Sequence, residues 1–107
     1  MLYNWENTTR EVAAAKPELA LLPLAATEQH GSHLPVGTKT LVLETIALRV
    51  AEALPGAVYL LPTLPLGTSD SHLGTPGTVA LRWETMVSIL DDLTGALLAQ
   101  GIRRVAV

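Results

Sequence analysis

Leu19-Ala20-Leu21-Leu22-Pro23-Leu24-Ala25-Ala26-Thr27-Glu28-Gln29-His30-Gly31-Ser32-His33-Leu34-Pro35-Val36-Gly37 is the stretch that sets the architecture of this chain. Its first six residues form a short apolar run, which reads as a strand buried on both faces. From Ala25 to Gly37 polar and turn-forming residues take over, so the strand runs out into a long loop. Thr38 then stands where a helix cap is expected. Beyond it Leu43, Ile46, Ala47, Val50, Ala51 and Leu54 recur at helical spacing, Glu44, Arg49 and Glu52 fall off that stripe, and Pro55-Gly56 ends the helix.

The same alternation continues on either side. Upstream, Thr8 or Thr9 can cap a short helix through Ala15, which Pro17 stops. Downstream, Val58 to Leu61 reads as a second strand, Leu64 to Thr78 as a long loop rich in glycine and proline, and Thr78 to Leu81 as a short strand. Arg82 to Gln100 is the clearest helix: Met86, Leu90, Leu93 and Leu97 form its apolar stripe, Glu84, Asp91 and Asp92 lie elsewhere, and Gly101 is placed to cap its end. Arg103 to Val107 begins another apolar strand. Strands alternating with helices predict an α/β fold, a mostly parallel sheet with helices packed on it. In such sheets ligands bind at the loops beyond the carboxyl ends of the strands, and the Glu28–His33 loop lies there.

Composition narrows the function. The chain has 107 residues, 49% apolar and 16% charged, which suits one globular domain but is small for an enzyme whose site lies between several loops. A net charge of −3 offers no basic face for nucleic acid and no polybasic membrane patch. There is no cysteine, so disulfides, thiolate metal sites and cysteine nucleophiles are excluded, in keeping with a cytoplasmic setting. The first six residues lack the features of a signal peptide, and the apolar run from Leu19 to Ala26 is too short to span a bilayer.

Glu28 and His30, two residues apart in a loop, can aim a carboxylate and an imidazole at one point. That donor pair suits Zn²⁺ or Mn²⁺ better than Ca²⁺. His33 is near enough to be a further ligand, to orient one, or to carry a proton. The same spacing equally describes a solvated loop in which Glu28 accepts backbone hydrogen bonds, since a metal site needs three or four ligands.

Leu22 to Thr38 closely resembles the signature of the creatininase family, roughly L-P-x-G-[ST]-x-E-Q-H-G-x-H-L-P-x-x-T-D. His72-Leu73-Gly74-Thr75-Pro76-Gly77-Thr78 is similar to that family's H-x-x-F-P-G-T loop. The resemblance runs through most of the chain. It implies a three-layer α/β hydrolase fold with a two-metal centre, zinc with manganese or a second zinc, that hydrolyses a small cyclic or linear amide. It further implies a homo-oligomer, commonly a hexamer. By motif position Glu28 and His30 match two metal ligands, and His72 matches a histidine of a loop beside the site, a catalytic candidate that reads equally as a structural residue of a Gly/Pro turn. His33 and Asp70 are candidates for substrate contact or for supporting the ligands, Asp70 reading first as a turn residue.

Two departures from the pattern matter. The family motif ends in Thr-Asp, whose aspartate bridges the metals; here the pair is Thr38-Lys39. An ammonium offers no lone pair. At about 4 Å and an effective dielectric near 20, its repulsion of a unit charge is worth roughly 4 kcal/mol, and about twice that against a dication. Lys39 therefore either carries its charge to solvent, replaces a metal ion by pairing with Glu28, or is carbamylated to a bridging carboxylate. The second departure is that residues 1–107 read as a single domain of this family that stops before the N-G-H-G-G-N loop carrying its remaining ligands. The expectation is thus an incomplete fold: a metal-dependent amidohydrolase of which this chain holds part of the site and is inactive alone, completed by a complementary C-terminal-half chain or by its own copies. The alternative is a non-catalytic, metal-free remnant or binding module, and the strand at the end predicts exposed apolar surface.

Overall fold

A computed structural model describes all 107 residues. Four strands, β1 (Leu2–Tyr3), β2 (Leu19–Leu21), β3 (Val58–Leu60) and β4 (Arg104–Ala106), form one sheet in the order β1-β3-β2-β4, every pair parallel. Three helices join them: α1 (Thr9–Ala15), α2 (Thr38–Ala53) and α3 (Trp83–Ala99). Leu19 is in register with Val58 on one side and Arg104 on the other, so β2 is central, as its apolar run predicts.

Alternation along the strands assigns the helices to opposite faces. Leu19, Leu21, Val58 and Leu60 pack with Ala51 of α2 and with Leu54, which caps that helix. Ala20, Tyr59 and Val105 point the other way and pack with Leu97 of α3 and with Ile102. The result is three layers, helix, sheet and helix.

Local chemistry explains most boundaries. Thr8 caps α1 in a capping box: the Glu11 amide donates to the Thr8 hydroxyl at 3.2 Å and the Thr8 amide to the Glu11 carboxylate at 2.6 Å. α3 ends in a Schellman turn. Gly101, at φ +89°, donates to Leu98, and Ile102 donates to Leu97, while the Ile102 and Leu97 side chains pack together. β2 is shorter than its apolar run because Pro23 has no N–H to give the ladder; pairing resumes as a lone parallel bridge between Leu24 and Leu64.

Four details depart from the sequence reading. α2 is capped by Gly37 rather than Thr38, whose hydroxyl is spent donating to the Pro35 carbonyl at 2.5 Å. Its buried stripe is narrower than predicted: Ala47 and Ala51 face the sheet, whereas Ile46 is 51% exposed and Val50 44%. At 100° per residue the small alanines lie against the sheet and the two branched residues fall on a flank. The short strand at Thr78–Leu81 is two isolated bridges, Val79 to Thr27 and Ala80 to Gly67. β1, absent from the sequence reading, adds an edge by pairing with β3 alone.

The molecule is open for its size. Its radius of gyration is 15.3 Å, against roughly 13 Å for a compact chain of this length. Its accessible surface is 6997 Å², against about 5,700 Å² expected for its mass. Part of the difference is an apolar ridge on α2, Val42, Ile46 and Val50, four residues apart and exposed. No helix is long and apolar enough to cross a membrane.

Candidate functional site

Parallel strands deliver their loops to one rim, and the loop after β2 carries Glu28 there. Its backbone is tied to several segments at once. The Thr27 hydroxyl donates to the Pro65 carbonyl at 2.7 Å, the Glu28 amide to Val36 at 3.1 Å, and the Gln29 amide to the Thr78 hydroxyl at 3.0 Å. Gly67 passes so close that a Cβ there would lie 2.8 Å from the Ala25 carbonyl oxygen. Gly77, at φ +86°, brings its loop against Val36. The Glu28 backbone is therefore fixed by the loops around it.

Glu28 is buried, 4% exposed, and both carboxylate oxygens have neighbours. Lys39, in the first turn of α2, places its ammonium on Oε1. His72 Nε2 lies 3.8 Å from Oε2. The hydrogen-bonded Lys39 ammonium holds the Glu28 carboxyl below the usual carboxylate range, the Ser69 hydroxyl adds to this, and burial opposes both.

The proton arrangement at His72 follows from the Gln29 amide. Gln29 Oε1 accepts from the Gly31 amide at 3.0 Å, which leaves Nε2 to donate to His72 Nδ1 at 2.8 Å. With Nδ1 accepting, the ring carries its proton on Nε2, the nitrogen that faces Glu28. A 3-10 turn, Asp70–His72, presents the ring, and the Leu73 amide closes it on the Asp70 carbonyl.

The other predicted residues divide. His30 joins Leu24, Ala25, Ala26, Thr38 and Lys39 around a mostly apolar cleft of about 380 Å³ that opens beside the ion pair. His33 is exposed and folds its ring against Gly31. Asp70 is exposed and serves its turn. Ser69, Gln29 and Thr78 went unread in the sequence, because each acts on a residue some forty or more positions away or only through its neighbour.

A two-metal centre needs three or four donor groups around each ion. No three of the chain's histidine, aspartate and glutamate side chains gather closely enough to hold a metal ion. One oxygen of Glu28 is already engaged by a cation that cannot be a ligand. The residues present do not form such a centre.

Comparison with known proteins agrees with the fold and the loop. The family model described as creatinine amidohydrolase matches residues 5–107. A mycofactocin precursor peptide peptidase from Mycolicibacterium smegmatis (strain ATCC 700084 / mc(2)155) is 34% identical over 90 residues, covering 80% of this chain and 36% of the relative. A creatinine amidohydrolase from Pseudomonas putida is 30% identical over 105 residues, covering 94% and 39%. Among solved structures, a manganese form of creatininase superposes with a TM-score of 0.83 at 25% identity, covering 98% of this chain and 44% of that one. The chain thus spans about two-fifths of the length of the proteins it matches. With the parallel sheet, the loop bearing Glu28 and His30, and a family match over nearly all residues, the chain belongs to the creatininase family.

Proposed function

We propose that this chain is the N-terminal segment of a creatininase-family amidohydrolase, that it supplies one wall of a site for a small cyclic or linear amide, and that it does not hydrolyse the amide unaided. The observation that carries this is the state of Glu28: buried at the loop rim, engaged by Lys39 and faced by His72, with no third ligand gathered beside them. In this reading Glu28 and His30 occupy the family's ligand positions, and His72 is the proton carrier nearest the substrate, its Nε2–H oriented by Gln29. His33 and Asp70 lie at the margin, where a bound substrate would reach them.

Creatininases of this fold occur in manganese and zinc–zinc forms. Such ions would need ligands beyond those of residues 1–107. A complementary polypeptide carrying the rest of the family fold, or copies of this chain, would cover the α2 ridge and the open edge of β4. The surplus surface, roughly 1,300 Å² over the compact expectation, exceeds the ~800 Å² that each partner buries in a standard specific interface. A cytoplasmic setting and the absence of nucleic-acid partners belong to the same proposal, on the charge and composition of the chain.

The test is an amide-hydrolysis assay of residues 1–107 alone and mixed with a polypeptide carrying the remainder of the family fold, each with added Zn²⁺ or Mn²⁺. Turnover is expected only in the mixture. Turnover by the chain alone, or none in a mixture shown to associate, overturns the proposal.

One observation favours a second reading. Lys39 stands where the family motif has its aspartate, and it neutralises Glu28. That suits a metal-free, non-catalytic module of the same fold. A Lys39→Asp variant separates the two: turnover restored in the mixture by that single change identifies a lost ligand, whereas an associated mixture that stays inactive identifies a module that no longer hydrolyses.

A further inference from the structure

We propose that the Lys39 ammonium is a tethered counter-cation for Glu28, taking over the neutralising and cross-linking role of a metal ion and making the folding of this site independent of metal. The proposal goes beyond the part-site reading and rests on it only in locating the site at the Glu28 loop.

Three features point the same way. First, the pair is a cross-link between elements: Glu28 sits in the loop after β2 and Lys39 in the first turn of α2, so their contact fastens the loop to the helix. A metal ion shared between a loop carboxylate and a helix residue would fasten the same two elements. Second, Lys39 is badly placed for its own helix. The first turn of α2 contains no acidic residue, and Gly37 gives it no side-chain cap, so no side chain of the helix itself opposes the partial positive charge at its N-terminus. A cation there is unfavourable locally and is offset only by the partner it meets, the buried Glu28. Third, within this chain each carboxylate oxygen already faces a partner. The Glu28 backbone is fixed by Val36, its neighbour Gln29 is tied to Thr78, the ammonium holds Oε1, and His72 faces Oε2.

Lys39 is a positioning residue in this account. Lys39 lines the 380 Å³ cleft together with Val42 and Leu43, and its side chain is 52% exposed. The ammonium therefore keeps some water while neutralising a carboxylate that has almost none. Such a half-wet pair tolerates burial of the acid better than a fully desolvated one.

The experiment measures thermal unfolding and bound metal, not turnover, so a failed hydrolysis assay leaves it intact. The full chain and the variants Lys39→Arg, Lys39→Met, Glu28→Gln and Glu28→Gln/Lys39→Met are melted in chelator, then in excess Zn²⁺ and in excess Mn²⁺. The unmodified chain is expected to melt at the same temperature in all three and to retain no stoichiometric metal after dialysis. Lys39→Arg stays within a few degrees of it. Lys39→Met drops by about 5–10 °C, because a buried carboxylate loses its partner. The double variant regains most of that loss, since neither charge remains. Saturable stabilisation of the unmodified chain by Zn²⁺ or Mn²⁺ overturns the proposal, as does a Lys39→Met variant that melts with the unmodified chain. If Lys39→Met does not fold, the double variant decides: folding restored upholds the counter-cation, and folding still lost overturns it.

Discussion

Two glutamates in this chain have carboxyls held below the usual range, and they sit in opposite kinds of structure. Glu11 is exposed on α1, and its shift comes from Thr8, three residues away, first through the backbone amide and then through the hydroxyl. Glu28 is buried, and its shift comes from a lysine on another element and a serine forty-one residues on. The first is a local device that helps one short helix begin. The second joins a loop, a helix and a turn, so the same chemical signature carries a tertiary consequence in one place and almost none in the other.

The contrast can be broken by substitution. The largest effect is expected from Lys39→Met, with the whole chain melting about 5–10 °C lower. If the loss stays confined to local fraying, seen by hydrogen exchange only near residues 25–39, the Glu28 region is no more tertiary than the α1 cap. Next is Gly67→Ala. Its Cβ would meet the Ala25 carbonyl oxygen at 2.8 Å, backbone that cannot swing aside, so a destabilisation of about 1–3 kcal/mol is expected in denaturant titration. A neutral outcome there would mean the loops beside Glu28 adjust freely.

Thr8→Ala should cost about 1 kcal/mol or less, and only in α1. Because α1 buries none of its residues, hydrogen exchange should report faster opening at residues 9–15 with the global transition little changed. A large shift of the global transition would show that α1 is integral to the core.

Acid sharpens the comparison. Both folded-state values lie below the ordinary glutamate value of 4.5, so each group contributes stability that is present above that value and is lost as pH falls through the lowered one. The Glu28 part should appear in the global melting temperature, and the Glu11 part only in α1 helicity. A global transition flat through the acid range would mean that the Glu28 carboxylate does not contribute to the stability of the whole fold. The smallest effect is salt: the exposed Arg104–Glu18 pair at 3.2 Å should contribute almost nothing, and added salt should leave stability nearly unchanged through it.

Much of this was legible in the sequence where the cause is local. β2, α2, α3 and the Gly101 stop follow from an apolar run, a helical period and a glycine that takes positive φ. Glu28, His30 and His72 are legible as candidate site residues by motif, and pairing of Lys39 with Glu28 is among the alternatives its position allows. What could not be read depends on contacts across long sequence separations. β1 is two residues long and exists because β3 offers a partner. The outward rotation of Ile46 and Val50 depends on which face of α2 meets the sheet, and a broad apolar stripe does not decide that. The Gln29–His72 bond crosses forty-three residues, and nothing near either side chain announces it.

The shared direction of the four strands has a practical corollary for anyone attaching something to this protein. Met1 lies beside Gly56 and Val58, at the end of the sheet where strands begin, far along the chain's path from the Glu28 loop. A tag or fusion there emerges on the quiet rim. Val107 follows β4 at the opposite end, where the Ala106 carbonyl accepts from Leu22, six residues before Glu28. Whatever is joined after Val107 is delivered onto the chemical rim, so the two termini are not interchangeable handles: one leaves the loops accessible, and the other places its cargo among them.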